Sequence, residues 1–171
     1  MKSLAIIILA GMALSSCGYH VAGRADLIPQ TVKTIAVPAW SNGTTRYKLT
    51  DHIPEAISRE FLTRTRYKIV SDVNQADAVL RGTVVKYNGY ATVVDRDTGR
   101  ATVVELHLVM QVSLTERATG KVIFNRPSFE VSERYEISVD PSQYFDESDV
   151  ALDRASQQAA RRVVSSILEN F

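Results

Sequence analysis

One residue stands where its type and its neighbours specify a reaction. Cys17 follows Leu14-Ser15-Ser16, an apolar residue and two small ones, at the end of the run Leu4 to Leu14 (LAIIILAGMAL). This is the pattern of a bacterial lipobox. Small residues let an extended segment enter a signal-peptidase cleft, and the free thiol takes a diacylglyceryl group. Cys17 is the only cysteine in the chain, so it has no disulfide partner, and an unpaired thiol in an exported protein requires such an explanation. Lys2 supplies the positive charge ahead of the run. About ten apolar residues are too few for a membrane span of roughly 20, but suit a secretory signal. Residues 1–16 are therefore expected to be a cleaved signal peptide and residues 17–31 a lipidated N-terminus and tether. Gly18, rather than Asp, follows the cysteine, so the expected location is the periplasmic face of the outer membrane, with acyl chains as the anchor.

Other chemistry-bearing residues are sparse. His20, His52 and His107 have no second His or Cys at metal-ligand spacing, and the chain holds no His-Glu-x-x-His helix. Gly-x-Ser-x-Gly, Gly-x-x-x-x-Gly-Lys and Gly-x-Gly-x-x-Gly are all missing. Asp95-Arg96-Asp97-Thr98-Gly99 begins like a calcium loop. It lacks the third ligand pair and the downstream Glu, and Asp-Thr-Gly is ordinary turn chemistry. No catalytic residue, metal or cofactor is expected, and the chain does not read as an enzyme. One cationic grouping remains: Arg96 and Arg100 at a hairpin tip, with Lys86 on the adjoining strand. Guanidinium forks there would suit the phosphate groups of a lipid; solvated loop charges are the plainer use. From Glu130 to Asp153 the only basic residue is Arg134.

Charge and length set the class. The chain carries 20 Lys and Arg against 19 Asp and Glu, and losing Lys2 with the leader makes the two signs equal. A nucleic-acid binder would need a basic surplus, so none is expected. Taking sixteen residues from 171 leaves 155, enough for one domain, residues 32–171, stabilised by its packed core alone.

The elements that must position these residues follow from periodicity. Val32 to Val37 reads as a strand ending at Pro38, followed by a loop from Ala39 to Leu49. Thr50 or Asp51 is expected to cap a helix with Pro54 in its first turn and a stripe of Ile53, Ala56, Ile57 and Phe61. A short strand, Tyr67 to Val70, comes next. A long strand from Ala76 to about Val94 should be bulged at Asn88-Gly89. In the following strand Val104, Leu106, Leu108, Met110, Val112 and Leu114 alternate with Glu105, His107, Gln111 and Ser113, so one face is buried and the other polar. Lys121 to about Tyr135 changes parity near Pro127, which calls for a bulge on an edge. Asp146, Glu147 and Asp149 suit the start of a last helix whose stripe is Leu152, Ala155, Ala159, Val163 and Ile167. The small alanines should let it approach the sheet. The expected fold is α+β: a two-layer sandwich, with a mixed sheet of about four strands covered on one face by two helices. Its β–α–β opening should cross over right-handed.

Taken together, Cys17-Gly18-Tyr19-His20, Leu27-Ile28-Pro29, Ile35-Ala36-Val37-Pro38, Asn42, Arg59-Glu60-Phe61, Ala76-Asp77-Ala78-Val79-Leu80-Arg81-Gly82 and Thr119-Gly120 resemble the LptE family of lipopolysaccharide-assembly lipoproteins. The resemblance spans nearly all of the mature chain. It implies a non-enzymatic protein that plugs and helps assemble a large outer-membrane barrel, LptD, and assists delivery of lipopolysaccharide to the outer leaflet. It also implies a small sheet covered by two helices, and it places Arg96 in a hairpin region directed at lipopolysaccharide. Between Arg134 and Arg154 this chain has no Lys or Arg, so a basic contact just before the last helix has no counterpart. The Ala-Asp…Leu…Gly stretch also recurs in other envelope lipoproteins, and keeps open a second reading: a periplasmic lipoprotein that activates a cell-wall synthase. Such proteins need a long reach, whereas only residues 18–31 separate Cys17 from the first strand. An envelope hydrolase is a third class, disfavoured by the missing motifs.

Overall fold

The computed structural model describes residues 28–137 and 148–169. Cys17, the tether up to residue 27, Asp146 and Glu147 lie outside the described residues. Within them the elements are β1 (Thr34–Ala36), β2 (Ser41–Asn42), α1 (Leu49–Arg64), β3 (Lys68–Val70), a 3-10 turn (Val73–Gln75), β4 (Ala78–Val94), β5 (Ala101–Glu116), β6 (Val122–Glu136) and α2 (Ser148–Glu169).

The class is α+β, with two helices and a mixed sheet. The sheet has six strands rather than about four. Its order is β3-β1-β4-β5-β6, with β2 also on β4. β1 is parallel to β3 and β4, β2 is parallel to β4, and β4-β5-β6 form the antiparallel meander. The strand β2 lies in the segment expected to be loop. It is only two residues long and carries no apolar alternation; the bond from Gly43 N–H to the Val84 carbonyl and an Asn42 side chain that accepts from Thr44 N–H and Oγ1 shape it.

The alternating face of β5 is buried as expected, from Val104 to Leu114. It joins Ile53, Ile57, Phe61, Val163 and Ile167 of the two helices in the main core. A smaller cluster of Ala36, Ala76 and Val79, covered by Val70 and Val73, buries the opposite face where the parallel strands begin. That is why Ile35 and Ala36, neighbours that face opposite sides of β1, are both fully buried.

Three sequence expectations change in detail. The first concerns the start of α1. It begins at Leu49, with Lys48 at the N-cap and no capping side chain. Leu49, Thr50 and Asp51 donate to the carbonyls of Arg46, Tyr47 and Lys48, so a preceding backbone turn satisfies N–H groups that a cap would otherwise serve. Pro54 then lies beyond the first turn. Lacking an N–H, it leaves the Thr50 carbonyl without its intrahelical donor, and Trp40 N–H fills that place at 3.1 Å. The second concerns bulges. The shift near Pro127 is present on edge strand β6, between the pairs Met110–Phe129 and Val112–Arg126. Asn88 and Gly89, however, pair regularly with His107 and Leu106; the irregularities of β4 fall around Val85 and Thr92. The glycine instead answers a close neighbour, since a Cβ on Gly89 would lie 3.1 Å from Val104 Cγ1.

The third concerns α2. It has the expected stripe, widened by Ala151, Ser156, Ala160 and Val164, and lies chiefly along α1 and over β6. Lys48–Asp149 (2.8 Å), His52–Asp153 (2.7 Å) and Arg64–Ser165 (2.7 Å) keep one constant offset in sequence, so the two helices run parallel and in register. The Asp149 carboxylate is held below its ordinary pKa by the hydrogen bond from Lys48 and by that ammonium's charge, and Lys48 is raised by the same pair. The small side chains of Ala155, Ala159 and Ala160 therefore make room beside α1 as well as over the sheet.

Two sites fix β4 against its neighbours. Gly82 lies under the Trp40 ring: a Cβ there would come within 2.4 Å of the ring carbons. Gly82→Ala should destabilise by about 1–3 kcal/mol through overpacking, measured by urea unfolding, and the loss should shrink in a Trp40→Ala background. The second site is Asp77. Its Oδ2 accepts from Lys33 N–H, Thr34 N–H and Thr34 Oγ1 at 2.8–2.9 Å, tying the start of β1 to β4. These bonds favour the carboxylate, led by the Lys33 N–H, and hold its pKa below the usual value. A depressed acid stabilises fully above its unfolded pKa, and that contribution fades as pH falls through the folded value. Asp77→Asn should cost about 1–3 kcal/mol at neutral pH and show a shallower loss of stability below about pH 4 than the parent chain, read from denaturation midpoints across pH.

Candidate functional site

The β4–β5 hairpin carries the candidate cations. From Gly89 to Val94 every residue of β4 is exposed, with Tyr90, Val93 and Val94 each about half accessible. This end of the strand forms an exposed ribbon. At its tip, Asp95 N–H donates to the Arg100 carbonyl at 2.8 Å and Gly99 N–H to the Asp95 carbonyl at 2.9 Å. The Asp95 carboxylate accepts from Thr98 Oγ1, Thr98 N–H and Asp97 N–H, and the first two of these depress its pKa most. Gly99 has φ 68°, a left-handed conformation that favours glycine at this corner. The Asp-Thr-Gly stretch is thus a turn, as expected from its residues.

The same turn occurs twice. Glu116-Arg117-Ala118-Thr119-Gly120-Lys121 repeats Asp95-Arg96-Asp97-Thr98-Gly99-Arg100 in pattern, and Glu116 N–H to Lys121 O and Gly120 N–H to Glu116 O repeat its bonds. Gly120 has φ 69°. The two copies use their arginines differently. Arg117 Nε donates to the Ala76 carbonyl at 2.7 Å and closes the β5–β6 end of the sheet. Arg96, the equivalent residue at the far end, is exposed, and its side chain and that of Arg100 have no ion pair or hydrogen bond among the described residues. The repeat is written in the sequence as [Asp/Glu]-Arg-x-Thr-Gly-[Lys/Arg].

Lys86 does not join that tip. It pairs with Val109, while the strand ends where Val94 meets Ala101, so Lys86 lies roughly 25 Å back along the ribbon at ~3.3 Å per residue. It is also exposed and unpaired among the described residues. Arg96 and Arg100 therefore form one cationic site and Lys86 a separate position on the sheet face away from the helices.

On that same face, Glu105 gathers the other histidine and arginine. Its carboxylate lies 3.5 Å from His107 Nε2 and 3.4 Å from Arg134 Nη2. The His107 ring meets Tyr90 edge-on at 5.3 Å, and Asn88 donates to the Tyr90 hydroxyl. This polar set is internally paired and half exposed, a geometry that orders three strands rather than one that activates a nucleophile. His52 bridges the helices through Asp153. Among the described residues no three His, Cys, Asp or Glu side chains group as a metal site, and no helix is long and apolar enough to cross a membrane.

A family model described as LptE, lipopolysaccharide-assembly, matches residues 32–167. This chain belongs to the LptE family. The match covers all the strands from β1 to β6, the whole of α1 and α2 as far as Ile167. Among solved structures the chain resembles rare lipoprotein B from Shewanella oneidensis, with 17% identity, 80% of this chain and 95% of that one covered, and a TM-score of 0.53. It resembles a lipoprotein B from Nitrosomonas europaea at 15% identity, 88% and 90% coverage and TM-score 0.51. The PelC dodecamer from Paraburkholderia phytofirmans is similar at 16% identity, 86% and 90% coverage and TM-score 0.54. These identities establish a shared fold. A search among curated proteins finds no significant match.

Since neither tip arginine side chain makes a hydrogen bond or ion pair among the described residues of this LptE-family domain, Arg96→Ala with Arg100→Ala should shift unfolding free energy by no more than about 0.5 kcal/mol. Arg117→Ala, at the equivalent place in the other turn, should cost more by urea titration.

Proposed function

We propose that this chain is an outer-membrane lipoprotein, anchored on the periplasmic face through acylated Cys17, which plugs and helps assemble an LptD-type barrel and assists lipopolysaccharide delivery to the outer leaflet. The observation that carries the reading is the LptE family match over residues 32–167. Two features of the chain support it. Only ten residues separate Cys17 from Ile28, which is buried in the core, a short reach that would hold the domain beside the membrane, and the Arg96–Arg100 tip offers guanidinium groups unpaired among the described residues at the end of an exposed ribbon. Such forks bind phosphate oxygens in bidentate fashion. In this reading Arg96 and Arg100 contact lipopolysaccharide phosphates, and Lys86 meets the ligand at a second point or a different ligand molecule. The role needs no catalysis: the protein contributes shape to a partner and charge to a lipid.

Depleting the protein should leave the barrel misassembled and lipopolysaccharide missing from the cell surface. A normal barrel and a normal surface would sink the proposal. Arg96→Ala with Arg100→Ala should weaken lipopolysaccharide binding by about tenfold, the loss of one good charge-assisted contact. Unchanged binding would return both residues to the role of solvated loop charges.

A further inference from the structure

The face of the sheet away from the helices is used unevenly. Towards the hairpin, Glu105, His107, Arg134, Asn88 and Tyr90 engage one another. Nearer the parallel strands, the pairing places two cross-strand rows of polar residues side by side. Arg81 pairs with Ser113 and Ser113 with Asn125; Ser41 pairs with Thr83 and Thr83 with Gln111. At ~4.8 Å between strands and ~3.4 Å per residue, these six side chains, spread over β2, β4, β5 and β6, occupy a patch about 14 Å by 7 Å. All six line one groove of about 430 Å³, within the range of small-molecule sites. Pro38, Ala39 and Val73 supply apolar lining beside them.

None of the six side chains has a hydrogen bond or ion pair among the described residues. The lining thus offers one guanidinium, two carboxamides and three hydroxyls, all uncommitted. It includes no acidic side chain and no aromatic ring. A single cation favours a ligand with one negative charge. Carboxamides and hydroxyls, which both donate and accept, match a ligand that carries several hydroxyl groups. A nucleic acid or polyanion would call for more cations, and base stacking for an aromatic platform.

We propose that this groove binds a monoanionic sugar, its carboxylate or phosphate on Arg81 and its hydroxyls on Gln111, Asn125, Ser41, Thr83 and Ser113. The site is separate from the hairpin tip and does not rest on the reading of Arg96 and Arg100. Adding glucuronate, glucose 6-phosphate or glucose to the full chain, while following the side-chain amide resonances of Gln111 and Asn125, tests it. One or both anions should shift these signals to saturation, and glucose at the same concentration should not. Glucuronate alone identifies a carboxylate ligand, glucose 6-phosphate alone a phosphate one. Arg81→Gln should weaken binding about tenfold or more, and Asn125→Ala about three- to tenfold, while Arg96→Ala with Arg100→Ala leaves it unchanged. Lack of saturable binding by either anion, equal binding of glucose, or full binding by Arg81→Gln overturns the proposal.

Discussion

The apolar alternation along β5 is the constraint on which the rest of the molecule depends. Val104, Leu106, Leu108, Met110, Val112 and Leu114 all point to one side, and each is at least nine-tenths buried. A sheet with one such face must be covered, and the two helices supply that cover by lying parallel and in register across it. The opposite face then stays polar and accessible for most of its length, and both the paired Glu105 set and the open groove at Arg81 lie on it. Were the pattern two-sided, that face would be buried and neither would exist.

The two ends of the sheet have opposite characters for a related reason. At the β1 end, Asp77 collects three donors and Arg117 fastens the β5–β6 turn to Ala76. A second small core closes over the strands there. At the other end the same six-residue turn recurs exposed, and its arginine side chains make no hydrogen bond or ion pair among the described residues. One piece of local chemistry therefore serves as a structural clasp in one place and as an exposed cationic tip in the other. Asp77 also gives a physical reason for the Ala-Asp…Leu…Gly stretch: the acid pins β1, Leu80 enters the core, and Gly82 admits Trp40. Such a stretch reports a scaffold requirement rather than a function.

The structural relatives, all below 20% identity, share that scaffold. A common fold at such distance is a packing solution, and function resides in what each surface displays. For this chain the family match adds what the fold cannot, a role in lipopolysaccharide assembly, while the hairpin tip and the open sheet face are its own displayed chemistry.

Periodicity alone determined the α+β class, the meander, both helices, the buried face of β5 and the bulge near Pro127. Each of these is written in side chains a few residues apart, and a change of parity is visible without knowing the partner strand. The turn that carries Arg96 and Arg100 was likewise legible from the residues around it. What only the tertiary structure decided depends on distant residues meeting. It separated Lys86 from the tip, because register counts residues that sequence proximity blurs. It moved the β4 bulges away from Asn88-Gly89, since Gly89 is there to clear Val104. It placed β2 in an apparent loop and let Trp40 satisfy the carbonyl freed by Pro54. The six polar side chains around Arg81 span residues 41 to 125 and form no motif along the chain; four strands in register bring them together.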